Sequence, residues 1–153
     1  MNDWTPKDIV ICEADDFQTK YSRNGLNFLF YWKALFPNFK ITLFTIPNRT
    51  SWELLQLLKP HKDWIELAVH GWDHESNFEC YGWDYDKAKA LMTRIIMPKE
   101  TIETALSYKK MFKAPGWTIT PTVYPAAPED PLAKDPLQVY QAMKDMDFIV
   151  VDR

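Results

Sequence analysis

Two pairs of residues in this chain have the types and spacing to do chemistry. His70-Gly71-Trp72-Asp73-His74 holds two of the chain's three histidines, with three residues between them. Asp15 and Asp16 are adjacent carboxylates. Imidazole nitrogen and carboxylate oxygen are both good ligands for a divalent cation, and zinc suits the mixed set. Neighbouring carboxylates repel each other unless a positive charge offsets them, and a cation would do so. Each pair alone has a plainer explanation. A His-x-x-x-His can be two partly exposed surface histidines, and Asp-Asp is a common helix cap or loop. The expectation at this point is that one cation binds His70, His74 and a carboxylate of the Asp15-Asp16 pair.

The elements around both pairs favour a site. Trp64-Ile65-Glu66-Leu67-Ala68-Val69 is an apolar run that reads as a buried strand ending at His70. Ile9 to Ala14 is a second such strand, placed from about Asp8, and it ends at Asp15. A third strand, read over Lys110 to Lys113, leads into the turn Ala114-Pro115-Gly116-Trp117. Lys40 to Ile46 and Phe148 to Val151 complete five strands. Helices are expected between them: Leu26 to Leu35, a helix capped by Ser51, Asp84 to Ile96, Lys99 to Tyr108, and one entered through Pro136. Thr118 to Asp135 reads as a long loop. Strand–helix alternation argues for a parallel sheet, open or curled into a barrel. In such a sheet the three polar strand ends share one rim, where α/β proteins keep their chemistry.

Composition limits the alternatives. A chain of 153 residues suits a single domain with a sizeable core. The net charge of −3 gives no electrostatic case for nucleic acid. Cys12 and Cys80 do not make a disulfide framework. No apolar run approaches a membrane span, and residues 1–8 lack the apolar core of a signal peptide, so a cytoplasmic protein is expected. Seven tryptophans are many for this length, and flat rings serve sugar clefts as well as cores. Trp72, Tyr81, Trp83 and Trp117 are candidates for stacking on a sugar, with Trp117 and Trp72 preferred; for each, simple packing is the commoner role.

In order and approximate spacing, Glu13-Ala14-Asp15-Asp16-Phe17, His70-Gly71-Trp72-Asp73-His74 and Lys113-Ala114-Pro115-Gly116-Trp117 resemble the three motifs of the polysaccharide deacetylase superfamily, the NodB-like carbohydrate esterases. The first also resembles the Ala-Asp-Asp-Phe of the YdjC-like sugar deacetylases, a neighbouring group. The likeness spans about Ile9 to Arg153. It implies a distorted (β/α) barrel of parallel strands and a zinc-dependent hydrolase that removes acetyl groups from N-acetylated sugars or related amides. Water activated at the metal would attack the acetyl carbonyl. Asp15 would be the general base; Asp16, His70 and His74 the metal ligands; Lys113 would stand for an arginine that orients the base; and Gly116 would offer its N–H to the oxyanion.

The chain departs from the family pattern in four places. Phe17 stands where the first motif has glycine, Gly71 where the second has serine or threonine, and Lys113 cannot make arginine's bidentate fork. No histidine follows His74, whereas the family uses a late histidine as general acid; His61 precedes its strand and belongs on the opposite rim. The expectation is one deacetylase-like domain over residues 1–153, lacking the last barrel units, with exposed strand edges that favour self-association. Two alternatives stand beside the enzyme: a catalytically impaired domain of this kind that binds a carbohydrate or a partner, and a structural zinc site in an unrelated α/β domain.

Overall fold

The computed structural model describes residues 12–20, 22–75, 79–96, 108–117 and 136–151. Five strands form one all-parallel sheet: β1 (Cys12–Phe17), β2 (Ile41–Thr45), β3 (Ile65–His70), β4 (Tyr108–Lys113) and β5 (Ile149–Val150). The order across the sheet is the order along the chain. Four α-helices are described: α1 (Ser22–Leu35), α2 (Trp52–Leu58), α3 (Tyr85–Ile96) and α4 (Pro136–Asp145). The expected α/β class with parallel strands is therefore present. No helix among the described residues is long and apolar enough to cross a membrane.

Local chemistry accounts for the helix ends. The Ser51 hydroxyl accepts the Leu54 N–H at 3.3 Å and caps α2. Helix α1 stops before Pro37, and the Lys33 ammonium donates to the Pro37 and Phe39 carbonyls just beyond it. Pro136 opens α4, where a missing N–H costs nothing. After α4 the chain turns through Asp147 at φ 59°, and the Phe148 N–H returns to the Met143 carbonyl at 2.9 Å.

Two apolar clusters fasten the helices to the sheet. Leu26, Leu29, Leu54 and Leu58 pack on Ile41, Leu43, Ile65 and Leu67. Ala88, Met92, Val139, Ala142 and Met143 pack on Val69 and Phe112. Ile65, Leu67 and Val69 are alternate residues of β3, so both clusters lie on the same face of that strand. The intervening residues Glu66, Ala68 and His70 point to the opposite face. By the same alternation Glu13 and Asp15 of β1, which alternate with Cys12 and Ala14, and Lys113 of β4, beside Phe112, also face away from the helices.

The sheet curls around that second face. In a flat sheet β1 and β4 would lie roughly 14 Å apart, three strand spacings. Yet the Lys113 ammonium touches Glu13 at 2.6 Å and Asp15 at 3.0 Å. On the helix-facing side, the Tyr108 hydroxyl of β4 meets Thr45 Oγ1 of β2 at 2.9 Å over the intervening strand.

Several boundaries differ from the sequence reading, and α1 begins at Ser22, four residues before the expected Leu26. Strand β1 continues through Asp15 and Asp16 to Phe17. Its register against β2 slips between Ala14 and Phe17, as a β-bulge does. Tyr108 is the first residue of β4, not the end of a helix, and β4 starts two residues earlier than expected. The rest of the Lys99 helix, the Thr118–Asp135 loop and the start of the first strand lie outside the described residues.

Candidate metal centre

All described polar strand ends meet at the carboxyl rim of the sheet. Four connections stitch the rim loops together in order. The Thr19 N–H donates to the Arg49 carbonyl at 3.0 Å, and the Asn48 N–H to the Trp72 carbonyl at 2.9 Å. Arg49 pairs with Asp73 at 2.9 Å. His70 Nδ1 reaches the Lys113 carbonyl at 3.0 Å. The Arg49–Asp73 contact raises the arginine pKa and lowers that of the carboxyl.

Asp16, His70 and His74 come together at this rim. One ligand atom from each lies within 4.8 Å of the others. Asp16 Oδ1 is 3.5 Å from His70 Nε2 and 3.0 Å from His74 Nε2. Ligand atoms about 2.0–2.2 Å from a tetrahedral zinc sit roughly 3.3 Å apart, so the two spacings bracket what zinc requires. The His70 tautomer fits as well. A carbonyl can only accept, so Nδ1 carries the proton toward Lys113 and Nε2 presents its lone pair to Asp16 and His74. His70 is buried, and burial lowers its pKa against the opposing pull of the Lys113 carbonyl and the Asp15 and Asp16 charges. The neutral, metal-binding form is the favoured one.

The backbone is contorted where two of the three ligands sit. Asp16 has φ 58° and His74 φ 52°, and only one other non-glycine among the described residues, Asp147, has positive φ. Asp147 ends a helix, an ordinary place for that conformation. Asp16 and His74 do no such work, and backbone strain of this kind gathers at functional sites. The bulge at Asp16 has a clear effect. It sends the adjacent carboxylates to different partners, Asp15 to the Lys113 ammonium and Asp16 to the two histidines.

Lys113 is buried completely, with its ammonium between Glu13 and Asp15 and 4.8 Å from the centre of the Phe44 ring. One cation thus serves two carboxylates. Gly116 stands at φ 68° in the turn that follows β4. That turn packs on the histidine loop: a Cβ on Gly71 would collide with Glu79 Oε2 and lie 2.6 Å from Pro115 Cγ. Gly71 is thus fixed by a close approach as well as by its φ of 64°.

The aromatic candidates fare differently. Trp83 is buried in the core, which is a packing role. Trp72 packs against the same cluster, and the Arg94 guanidinium lies 5.8 Å from its ring. The side chains of Trp117 and Tyr81 lie outside the described residues. His61 sits before β3, edge-on to Phe30 and Trp64, at the end of the strand remote from the site.

Two residues were missed in the sequence. Glu13 shares Lys113 with Asp15, and its position two residues before Asp15 on a strand was the available signal. Glu79 accepts hydrogen bonds from three consecutive N–H groups, those of Trp72, Asp73 and His74. Nothing in the spacing announces that contact. Comparison of the chain with protein-family models, curated proteins and solved structures finds no match in any of the three.

Proposed function

We propose that this protein is a metal-dependent hydrolase that removes acetyl groups from N-acetylated sugars or related acetylated small molecules, built on a partial (β/α) barrel. The observation that carries the reading is the division of labour between Asp15 and Asp16. Three ligand residues converge while a second carboxylate, Asp15, adjacent to Asp16 in sequence, is held apart from them by a buried ammonium. A structural zinc site has no use for that separate carboxylate. The strand order, with each strand beside its successor, and the curl of the sheet toward the polar face support the barrel reading.

A divalent cation, zinc by its ligand set, would be held by Asp16, His70 and His74, where it supplies charge that polarises a substrate carbonyl and eases deprotonation of water. Asp15 takes the proton from the attacking water. Lys113 fixes the direction of the Asp15 carboxylate and balances its charge. The Gly116 N–H donates to the oxygen on which negative charge develops. Expelling an amine also needs a proton donor. The third histidine, His61, is at the other end of β3 and does not fill that role. Substrates whose leaving group needs no proton are therefore favoured over acetylated amino sugars. The same feature favours the second reading, a deacetylase-like domain that binds carbohydrate without turning it over.

The test compares an aryl acetate with an N-acetylglucosamine oligomer on zinc-loaded protein. The aryl acetate should be cleaved and the oligomer cleaved more slowly by ~10²–10⁴-fold, the usual worth of a general acid. Tight binding of the oligomer with no cleavage of either compound would support the second reading. Rapid release of acetate from the oligomer would mean that a non-histidine acid completes the site.

A further inference from the structure

Glu79 is a rim carboxylate that faces neither the ligand atoms nor Lys113. It is turned instead toward backbone. Its Oε1 accepts the Asp73 N–H at 2.9 Å, its Oε2 accepts the His74 N–H at 2.9 Å, and the Trp72 N–H is 3.2 Å from both oxygens. Successive N–H groups converging on one anion form a nest, a backbone shape that an extended or helical loop does not offer. The three N–H groups lie between two residues of left-handed backbone, Gly71 and His74. Without the anion, three N–H dipoles would point together at one place and repel.

The carboxylate is itself firmly placed. Glu79 begins a short 3₁₀ turn, Glu79–Gly82, whose next residue, Cys80, is buried in the core cluster beside Trp83. Burial and the nearby Glu79 charge raise the Cys80 thiol pKa, which leaves that residue a packing group. The core thus anchors the turn, the turn anchors Glu79, and Glu79 gathers the loop that ends in His74.

We propose that Glu79 is a positioning residue that shapes the His70–His74 loop before any cation arrives, and so sets the metal affinity of the Asp16–His70–His74 group. The proposal rests on the metal reading above. A loop that must find its shape on binding spends part of the binding free energy on ordering; a loop already held spends little. His74 gains most, because its own N–H is one of the three and its φ of 52° is otherwise disfavoured. His70 lies on β3 and is held independently by the Lys113 carbonyl.

Two measurements on the full chain test it. In the metal-free wild type, the amide protons of residues 72, 73 and 74 should exchange slowly with solvent, as strand amides do; fast exchange until zinc is added would overturn the proposal. Zinc affinity is then read by competition with a chromophoric chelator, below the melting temperature of every variant. Glu79→Gln turns one acceptor into a donor and should weaken zinc by about 10–100-fold, the scale reported for groups that orient metal ligands. The cobalt absorption spectrum should change with it, and Glu79→Asp, which keeps the charge, should recover part of the affinity. A purely structural role would lower the melting temperature but leave affinity and spectrum at wild-type values, and that result refutes the proposal. Wild-type protein that retains no zinc would instead refute the metal reading, and this inference with it.

Discussion

Lys113 and His70 are opposite each other on β4 and β3, and the Lys113 backbone carbonyl accepts the His70 Nδ1 proton at 3.0 Å. The side chain of the same lysine clasps Asp15 at 3.0 Å. One residue therefore fixes a ligand tautomer through its backbone and a candidate base through its ammonium. The two jobs are chemically independent.

That independence is measurable. Lys113→Met keeps the carbonyl and removes the ammonium. Glu13 and Asp15 then lose their shared cation, and the protein should be destabilised by about 3 kcal/mol, the low end for a broken buried pair because both carboxylates keep some contact with water. Zinc retention should be unchanged and hydrolysis lost. Urea unfolding and metal analysis check the two halves separately.

Metal retention should fail when a ligand side chain is removed. His70→Ala and His74→Ala, chelated and reconstituted, should each fail to hold stoichiometric zinc. Retention unchanged from wild type in both variants, measured by atomic emission after desalting, would remove the metal reading.

Asp15→Asn preserves shape and abolishes basicity. Zinc content should survive, and hydrolysis of an aryl acetate should fall by roughly 10²-fold or more. If the zinc is lost instead, Asp15 and Asp16 exchange roles.

The metal-free protein should weaken in acid through His70. Its folded-state pKa lies below the ordinary 6.5 because burial disfavours the imidazolium. Above 6.5 both folded and unfolded forms are neutral, and the contribution is constant. Below 6.5 the unfolded chain takes up a proton that the folded chain refuses, so stability falls until the lower folded pKa is passed. Chemical denaturation of chelated protein between about pH 7.5 and 5.5, one unit either side of the ordinary histidine value, should follow that sign, and His70→Asn should flatten the dependence.

Strand ends were the legible part of the sequence. His70 closes an apolar run, and the Asp15–Asp16 and Lys113 motifs each follow β-prone residues, so their meeting at one rim could be inferred from parallel topology alone. The end of β1 was less legible. Charged residues read as the end of a strand, but Asp15 pairs with an ammonium 98 residues away, a partner that no local window contains. Tyr108 was assigned to a helix by continuity with the residues before it, while a hydroxyl contact to Thr45 and pairing with Leu67 place it in the sheet. Glu79 was not legible at all. A carboxylate that accepts from backbone N–H groups depends on the loop's dihedral angles, and apolar periodicity carries no record of those.

The chain-order sheet also divides the assembly of the site into two events. Asp16, His70 and His74 are all supplied once β1 and β3 have docked on either side of β2, with the α1–α2 cluster beneath them. Lys113 belongs to β4 and makes the long-separation contact, so its loop-closure entropy is met last. In a chain emerging from the ribosome, the ligand residues precede the residue that orients the base. On the proposed reading, the residues that would hold a cation are made before the one that orients Asp15, and His70 gains its Lys113 hydrogen bond only when β4 docks.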